Sequence, residues 1–192
     1  YTLASVVDDI DFEVTDILRG EDHMTNSAAQ IQLFEALGSS PPRLGHLSLL
    51  TDISGEGLSK RLGSLSLKDL RQEGFQPMAI SSLLSKVGTS DAIDIFKNIN
   101  QIIDNFDINK FGKSKPKFDK VELLNLNSKF FQLTNFDDIS NQLNTLDFEI
   151  TTEFWNLIKG NVNTFNDIKF WWNIVYGKIK TINDDHEFTY LA

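Results

Sequence analysis

Val14-Thr-Asp-Ile-Leu-Arg-Gly-Glu-Asp-His23 sets a short apolar run against a polar end: Val14, Ile17 and Leu18 give way at Arg19-Gly20 to Glu21-Asp22-His23. A run of that length stopped by glycine reads as a buried strand. The polar cluster then lies just past the strand's carboxyl end, which is where open α/β sheets bind their ligands. Upstream, Val6-Val7 stand before Asp8-Asp9. Downstream, Thr25, Asn26 and Ser27 offer helix caps, and Ala29, Leu33 and Leu37 fall on one helical face. Gly38 is placed to end that helix in the left-handed conformation. Pro41-Pro42 break the chain before His46-Leu-Ser-Leu-Leu50, a second short strand. Residues 1 to about 52 therefore read as α/β.

Beyond this the pattern turns helical. Ser66 caps a helix that Gly74 stops, Pro77 takes a first helical position, and Gly88 follows the end of the next helix. Ile93, Phe96, Ile99 and Ile103 predict another helix, and Val121 through Phe131 one more. From Phe136 onward no glycine-rich turns fall at strand spacing, and helices are expected. Phe154, Trp155 and Ile158 form one apolar face, and Phe170, Trp171, Ile174 and Val175 another. Such aromatic stripes belong to cores more often than to base-stacking platforms.

Composition limits the function classes. The chain has 192 residues, 41% hydrophobic and 23% charged, which suits a soluble globular protein and not a disordered one. No run is long and apolar enough to cross a bilayer. Zero cysteines exclude disulfides and thiolate zinc sites, and with no signal-peptide pattern at the start a cytoplasmic location is expected. His23, His46 and His186 share no ligand spacing, so no metal site is expected from them. A net charge of −9 argues against nucleic-acid binding over the whole surface, because phosphate affinity is built from Lys and Arg. Two basic patches stand out locally. One holds Lys60, Arg61, Lys68 and Arg71; the denser one holds Lys110, Lys113, Lys115, Lys117 and Lys120 around Pro116. Either also suits a plain solvated face.

Thr51 to Ser64 is a glycine- and hydroxyl-rich basic loop containing Gly57-Leu-Ser-Lys-Arg61. A lysine on such a loop is a point cation that can meet charge developing on a phosphate. A Walker A loop is excluded, because that motif needs Gly immediately before its Lys and Ser59 stands there.

Leu58-Ser-Lys-Arg61 resembles instead the second signature of class I aminoacyl-tRNA synthetases, of the Lys-hydrophobic-Ser-Lys-Ser type, in its glutamate-specific form. The flanks resemble bacterial glutamyl-tRNA synthetases in order and spacing. The matching blocks are Tyr1 to Asp9, Ile17 to His23, Gln32 to Gly38, His46 to Leu50, Phe106 to Ile108, Lys113 to Asp119 and Leu123 to Asn127. The likeness runs from Tyr1 to about Phe131.

The resemblance implies a fold and a set of roles. The fold is α/β followed by mostly α: the back of a Rossmann-type catalytic core over 1–52, a signature loop and helical stem-contact domain over 53–136, and the start of a helical anticodon-binding region over 137–192. The activity is ATP-dependent activation of glutamate and its transfer to tRNA(Glu), with Mg²⁺ accompanying the triphosphate and the enzyme acting as a monomer. Tyr1 and Arg19 match positions that hold glutamate, and a guanidinium fork on a carboxylate suits that work. Read without the family, Tyr1 is a buried seam residue and Arg19 a partner of Asp8 or Asp9. Asp22 and His23 match the lining of the ATP pocket, and Leu49-Leu50 the wall against which adenine packs. Lys60 matches the transition-state cation, with Ser59 and Arg61 assisting. Lys113, Lys115 and Lys117 match a segment that touches tRNA backbone phosphates, contacts that position without reading sequence.

Two positions depart from the family pattern: His23 replaces a common aromatic, and Gly57 replaces the usual first lysine of the loop. The His-containing ATP turn near the start of class I synthetases is not among these residues, so the chain is expected to be a fragment that forms no glutamyl-adenylate alone. Two other readings fit parts of the pattern. One is the shortened paralogue that glutamylates a modified base of tRNA(Asp), which resembles only the catalytic half. The other is a non-catalytic RNA-binding module derived from a synthetase.

Overall fold

The computed structural model describes residues 1–58 and 66–177. The described chain divides into two compact units, one of residues 1–65 and 81–120, the other of 66–80 and 121–192.

The first unit opens with α1 (Thr2–Asp11), whose Val6 is fully buried and which packs on α2 (Met24–Ala36). Between them runs β1 (Asp16–Gly20), and α2 leads to β2 (Arg43–Leu47). The strands pair in parallel with Asp16 opposite Arg43, Arg19 opposite His46 and Gly20 opposite Leu47. A parallel pair needs a crossover of this length, so β1, α2 and β2 form a βαβ unit. Gly38 takes φ +76°, the left-handed end expected after α2.

Several sequence expectations shift here. The first strand is not a buried one: Leu18 is 59% exposed, and the strand opens at Asp16, whose carboxylate pairs with Arg43 at 2.7 Å. The helix begins at Met24 with His23 at its N-cap and no side-chain cap, so Thr25, Asn26 and Ser27 lie inside its first turn. Its buried face is Ser27, Gln30 and Phe34, while Leu37 is half exposed. Polar Ser27 is inside because it bonds to groups at the strand ends, a pull that apolar periodicity does not register. The second strand comes three residues earlier than expected. Ser48 to Thr51 instead run beside Lys113 to Phe118, with Thr51 N–H donating to Pro116 O at 2.9 Å and Phe118 N–H to Thr51 O at 2.8 Å.

In the same unit the helix expected from Ile93 is only α5 (Ile99–Asn105). Asn98 caps it by accepting from Gln101 N–H at 3.0 Å, and Phe96 N–H is taken by Ser82 Oγ at 3.0 Å, so the residues before Asn98 cannot join the helix. Lys86 is 8% exposed, and its ammonium donates to Asp91 at 2.8 Å and to Asn105 O at 3.1 Å. Lys110 reaches the same carboxylate at 3.0 Å. The two lysines hold the Asp91 carboxyl below its ordinary value, Lys86 foremost.

The second unit is helical among its described residues. Ser66 caps α3 (Leu67–Gln72) by accepting from Asp69 N–H at 3.1 Å, and Gly74 ends it at φ +86°. A Cβ at Gly74 would come within 2.8 Å of Phe165 N, whose N–H donates to Gly74 O, so both backbone shape and packing require glycine. Pro77 opens α4 (Pro77–Lys86) as expected, and the residues of this helix from Ser81 onward belong to the first unit. Asn127, fully buried in α6 (Lys120–Leu133), accepts from Gln76 N–H at 2.7 Å and donates to Asn163 O at 2.5 Å.

Then follow α7 (Phe136–Leu143), α8 (Thr152–Ile158) and α9 (Asp167–Tyr176). Phe154, Trp155 and Ile158 are buried with Phe131, Ile139, Leu143 and Ile168 in one core, as the α8 stripe requires. The α9 stripe behaves differently. Phe170 is 61% exposed and Ile174 and Val175 are more than 40% exposed. Of the expected face only Trp171 packs against the core; the helix is anchored with it by Ile168 and by Trp172, whose ring lies tilted on Phe148 at 4.9 Å, which leaves Phe170, Ile174 and Val175 outward.

Candidate active site

The parallel register of β1 and β2 puts their carboxyl ends side by side, and the residues singled out in the sequence gather there. Glu21–His23 form a single 3₁₀ turn directly after β1. A Cβ at Gly20 would stand 2.5 Å from Asp22 Oδ1 and 2.8 Å from Leu49 Cδ2, so the missing side chain is what lets Asp22 and Leu49 converge. A cavity of about 390 Å³ opens at this place, with Arg19, Gly20, Leu49, Leu50, Val87 and Phe111 among its walls. Its lining is mainly apolar with one guanidinium, a combination suited to a flat or aliphatic group that carries an anion.

Arg19 does not pair with Asp8 or Asp9. Its Nη2 donates to Ser27 Oγ at 2.5 Å, and its Nε is shielded from solvent with no partner among the described residues. Tyr1 is not buried; it stands fully exposed at the N-cap of α1, and no described hydrogen bond joins it to Arg19. Asp22 and His23 are about half exposed and 4.0 Å apart, and His23 Nδ1 lies 3.3 Å from Asn26 Nδ2. Leu49 is 39% exposed and Leu50 half-buried.

Ser59, Lys60 and Arg61 lie outside the described residues. The stem that leads into them is well defined. Thr51 and Gly57 pair across a turn in which Asp52 N–H donates to Glu56 O at 2.8 Å. The Asp52 carboxylate accepts from Ser54 Oγ at 2.6 Å and from Ser54 and Glu56 N–H, each at 2.9 Å. Gly55 supplies φ +91° at the tip. The sequence carried a signal for this turn, an aspartate two residues before a serine and three before a glycine, which fits a side chain folding back on its own backbone.

The Ser54 hydroxyl, then the backbone N–H groups, hold the Asp52 carboxyl below its ordinary value despite the opposing effect of desolvation. A depressed carboxyl stabilises the turn above the unfolded value and loses that contribution as pH falls through the folded one. Asp52 is therefore expected to titrate below the reference of 3.8, with the Glu56 amide shift following the same curve in an NMR titration. Titration at or above the reference value, or a Glu56 amide indifferent to it, contradicts the turn's assignment.

Lys113, Lys115 and Lys117 are brought alongside the cavity wall. Ser48 Oγ donates to Lys113 O at 2.9 Å, and Lys117 bridges in parallel to Thr51. All three side chains are exposed, and none forms an ion pair with a described residue. Among the described residues no group of three or more His, Asp or Glu stands close enough to hold a metal ion, and no helix is long and apolar enough to cross a membrane.

Sequence reasoning missed Ser27 and His46. Ser27 read as a helix cap and His46 as an ordinary strand residue. The parallel register sets His46 beside Arg19, and that pairing could have been found by aligning the carboxyl ends of the two strands.

Comparison with known proteins gives this arrangement a family. The model for class I tRNA synthetases (E and Q), catalytic domain, matches residues 1–125. Glutamate–tRNA ligase 1 of Ruegeria pomeroyi is 43% identical over 173 residues, 89% of this chain and 39% of that protein. The glutamate–tRNA ligase of Azospirillum brasilense is 49% identical over 160 residues, 82% of this chain and 36% of its own length. Among solved structures, a glutamate–tRNA ligase from Elizabethkingia meningosepticum in complex with its amino acid superposes with a TM-score of 0.72 at 25% identity, covering 91% of this chain and 40% of that one. The chain thus spans well under half the length of these relatives. With the family match running through both strands, the 3₁₀ turn and the basic segment beside Thr51, this chain belongs to the class I tRNA synthetases of the glutamate and glutamine family.

Proposed function

We propose that this chain carries part of the active site of a glutamate–tRNA ligase, which activates glutamate with ATP and transfers it to tRNA(Glu). The observation that carries the reading is Arg19: a guanidinium at the carboxyl end of β1, on the wall of an apolar cavity, with a shielded donor that no group among the described residues takes. A buried donor without an acceptor is costly, and a substrate carboxylate supplies one.

The other roles follow in the same scheme. Tyr1 assists Arg19 in holding glutamate. Asp22 and His23 line the ATP pocket, and Leu49-Leu50 pack against adenine. Lys60, with Ser59 and Arg61, stabilises charge on the reacting phosphate. Mg²⁺ accompanies the triphosphate, held mainly by phosphate oxygens and water, as is usual for this ion. Lys113, Lys115 and Lys117 contact tRNA phosphates; their exposure and the lack of ion pairs to described residues support that assignment. The functional segments are 1–52 for the back of the Rossmann-type core, 53–136 for the loop and stem-contact region, and 137–192 for the start of the anticodon-binding region. These are stretches of sequence with separate tasks and do not coincide with the two packing units.

The test is Arg19→Ala in the full-length protein. Losing a charge-assisted pair to substrate is expected to raise KM for glutamate by about 10- to 100-fold while leaving KM for ATP within about twofold. An unchanged KM for glutamate overturns the reading.

A further inference from the structure

We propose that Ser27 and His46 are positioning residues that fix the Arg19 guanidinium for the substrate carboxylate. The inference rests on the reading of Arg19 as the glutamate-holding residue. The side chains come from successive elements of the βαβ unit: Arg19 near the end of β1, Ser27 in the first turn of α2 and His46 near the end of β2. The strand register sets Arg19 beside His46, and Ser27, 5% exposed, bonds to both.

Ser27 Oγ lies 2.5 Å from Arg19 Nη2, 2.7 Å from His46 Nε2 and 3.2 Å from His23 O. A hydroxyl has one proton to give and two lone pairs with which to accept. All these contacts are hydrogen bonds at once only if Ser27 donates to the His23 carbonyl and accepts from Arg19 and His46. That arrangement puts a hydrogen on His46 Nε2. It also ties the guanidinium to the turn that begins α2, through His23 O.

The choice of anchor has a consequence for charge. A carboxylate at this position would hold Arg19 equally well but would neutralise it, and no carboxylate is paired with Arg19 among the described residues. A neutral hydroxyl, itself backed by an imidazole N–H, fixes the guanidinium while leaving its positive charge for a ligand. The guanidinium is then held in a fixed direction on the cavity wall, with its Nε–H unpartnered among the described residues. A fork fixed in this way binds a carboxylate without first having to order a long side chain.

The experiment is steady-state kinetics on the full-length protein with Ser27→Ala, Ser27→Thr, His46→Leu, His46→Gln, Arg19→Ala and the Ser27→Ala/Arg19→Ala double variant. Ser27→Ala and His46→Leu are expected to raise KM for glutamate about tenfold, with kcat and KM for ATP within about twofold. Ser27→Thr and His46→Gln, which keep the hydroxyl and the N–H donor, are expected to restore it. Because Ser27 acts through Arg19, the double variant should be no worse than Arg19→Ala alone. A KM unchanged by Ser27→Ala, whatever happens to its melting temperature, overturns the proposal, as do effects that multiply in the double variant. If Arg19→Ala raises KM but Ser27→Ala does not, only the positioning role falls; if Arg19→Ala has no effect, the glutamate-holding reading falls and takes this one with it. A measurement independent of catalysis is the ring nitrogen spectrum of His46: a hydrogen on Nε2 supports the arrangement, and a neutral ring with its hydrogen on Nδ1 overturns it.

Discussion

Lys60→Ala in the full-length protein is expected to slow glutamate activation by on the order of 10²-fold or more, with the loss in kcat and KM for ATP changed far less. A cation that meets charge only as it develops on the phosphate contributes to the transition state and little to the bound ground state, so the loss appears in kcat. Lys60 lies outside the described residues; the turn before it in the chain is the one in which Asp52 gathers Ser54 and Glu56. Gly57 stands where the family has another loop lysine, so the loop has one cation fewer and any contribution of that lysine is absent or supplied elsewhere. Lys60→Arg keeps the charge but spreads it over a planar fork, and is expected to recover only part of the rate. A change of less than about threefold in kcat for Lys60→Ala contradicts the catalytic assignment.

Trp155→Ala is expected to destabilise the second unit by about 3–5 kcal/mol, the range for removing a large aromatic side chain from a packed core. Trp155 is fully buried, meets Phe131 edge-to-face at 6.1 Å, and donates its Nε1–H to Thr134 O at 3.1 Å. Truncation therefore opens a cavity and also strands an acceptor on a residue that is only 8% exposed. Trp155→Phe fills much of the volume but still loses the N–H, and should cost about 1–3 kcal/mol. Urea unfolding followed by far-UV circular dichroism checks both, provided the slope against denaturant stays constant. A loss below about 1 kcal/mol for the alanine variant would show that the α8 stripe is not the centre of this core.

Local signals were legible in the sequence wherever the backbone itself dictates the residue. Ser66, Gly74, Pro77 and Gly88 mark real helix ends because capping, left-handed φ and the missing N–H of proline act within a few residues. The α8 stripe was legible because a helix that buries Phe154, Trp155 and Ile158 leaves them at helical spacing. What depended on distant partners was not. The second strand shifted because Ser48 to Thr51 pair with a segment more than sixty residues away in the chain. Of the α9 face, Trp171 packs on the core while Phe170, Ile174 and Val175 point outward, because Trp172 found Phe148, a choice that periodicity within α9 cannot express.

The candidate site divides in the same way. Arg19, Asp22, Leu49 and Leu50 were found through likeness to a family, and the structure sets Arg19 and Leu49-Leu50 on the wall of one cavity, with Asp22 beside Gly20. Ser27 lies in none of the matching blocks, and His46 opens one with no role attached to it. The role proposed for them comes from their distance to Arg19, which only the register of two strands and the placement of a helix could set.

The most direct test is amino-acid-dependent exchange of pyrophosphate into ATP by the full-length protein in the presence of tRNA(Glu). Glutamate is expected to support exchange, and aspartate and glutamine to give rates at least about tenfold lower, because the role proposed for Arg19 is to take a carboxylate at the right reach. Exchange that proceeds equally well with glutamine, or that no amino acid supports, would contradict the account.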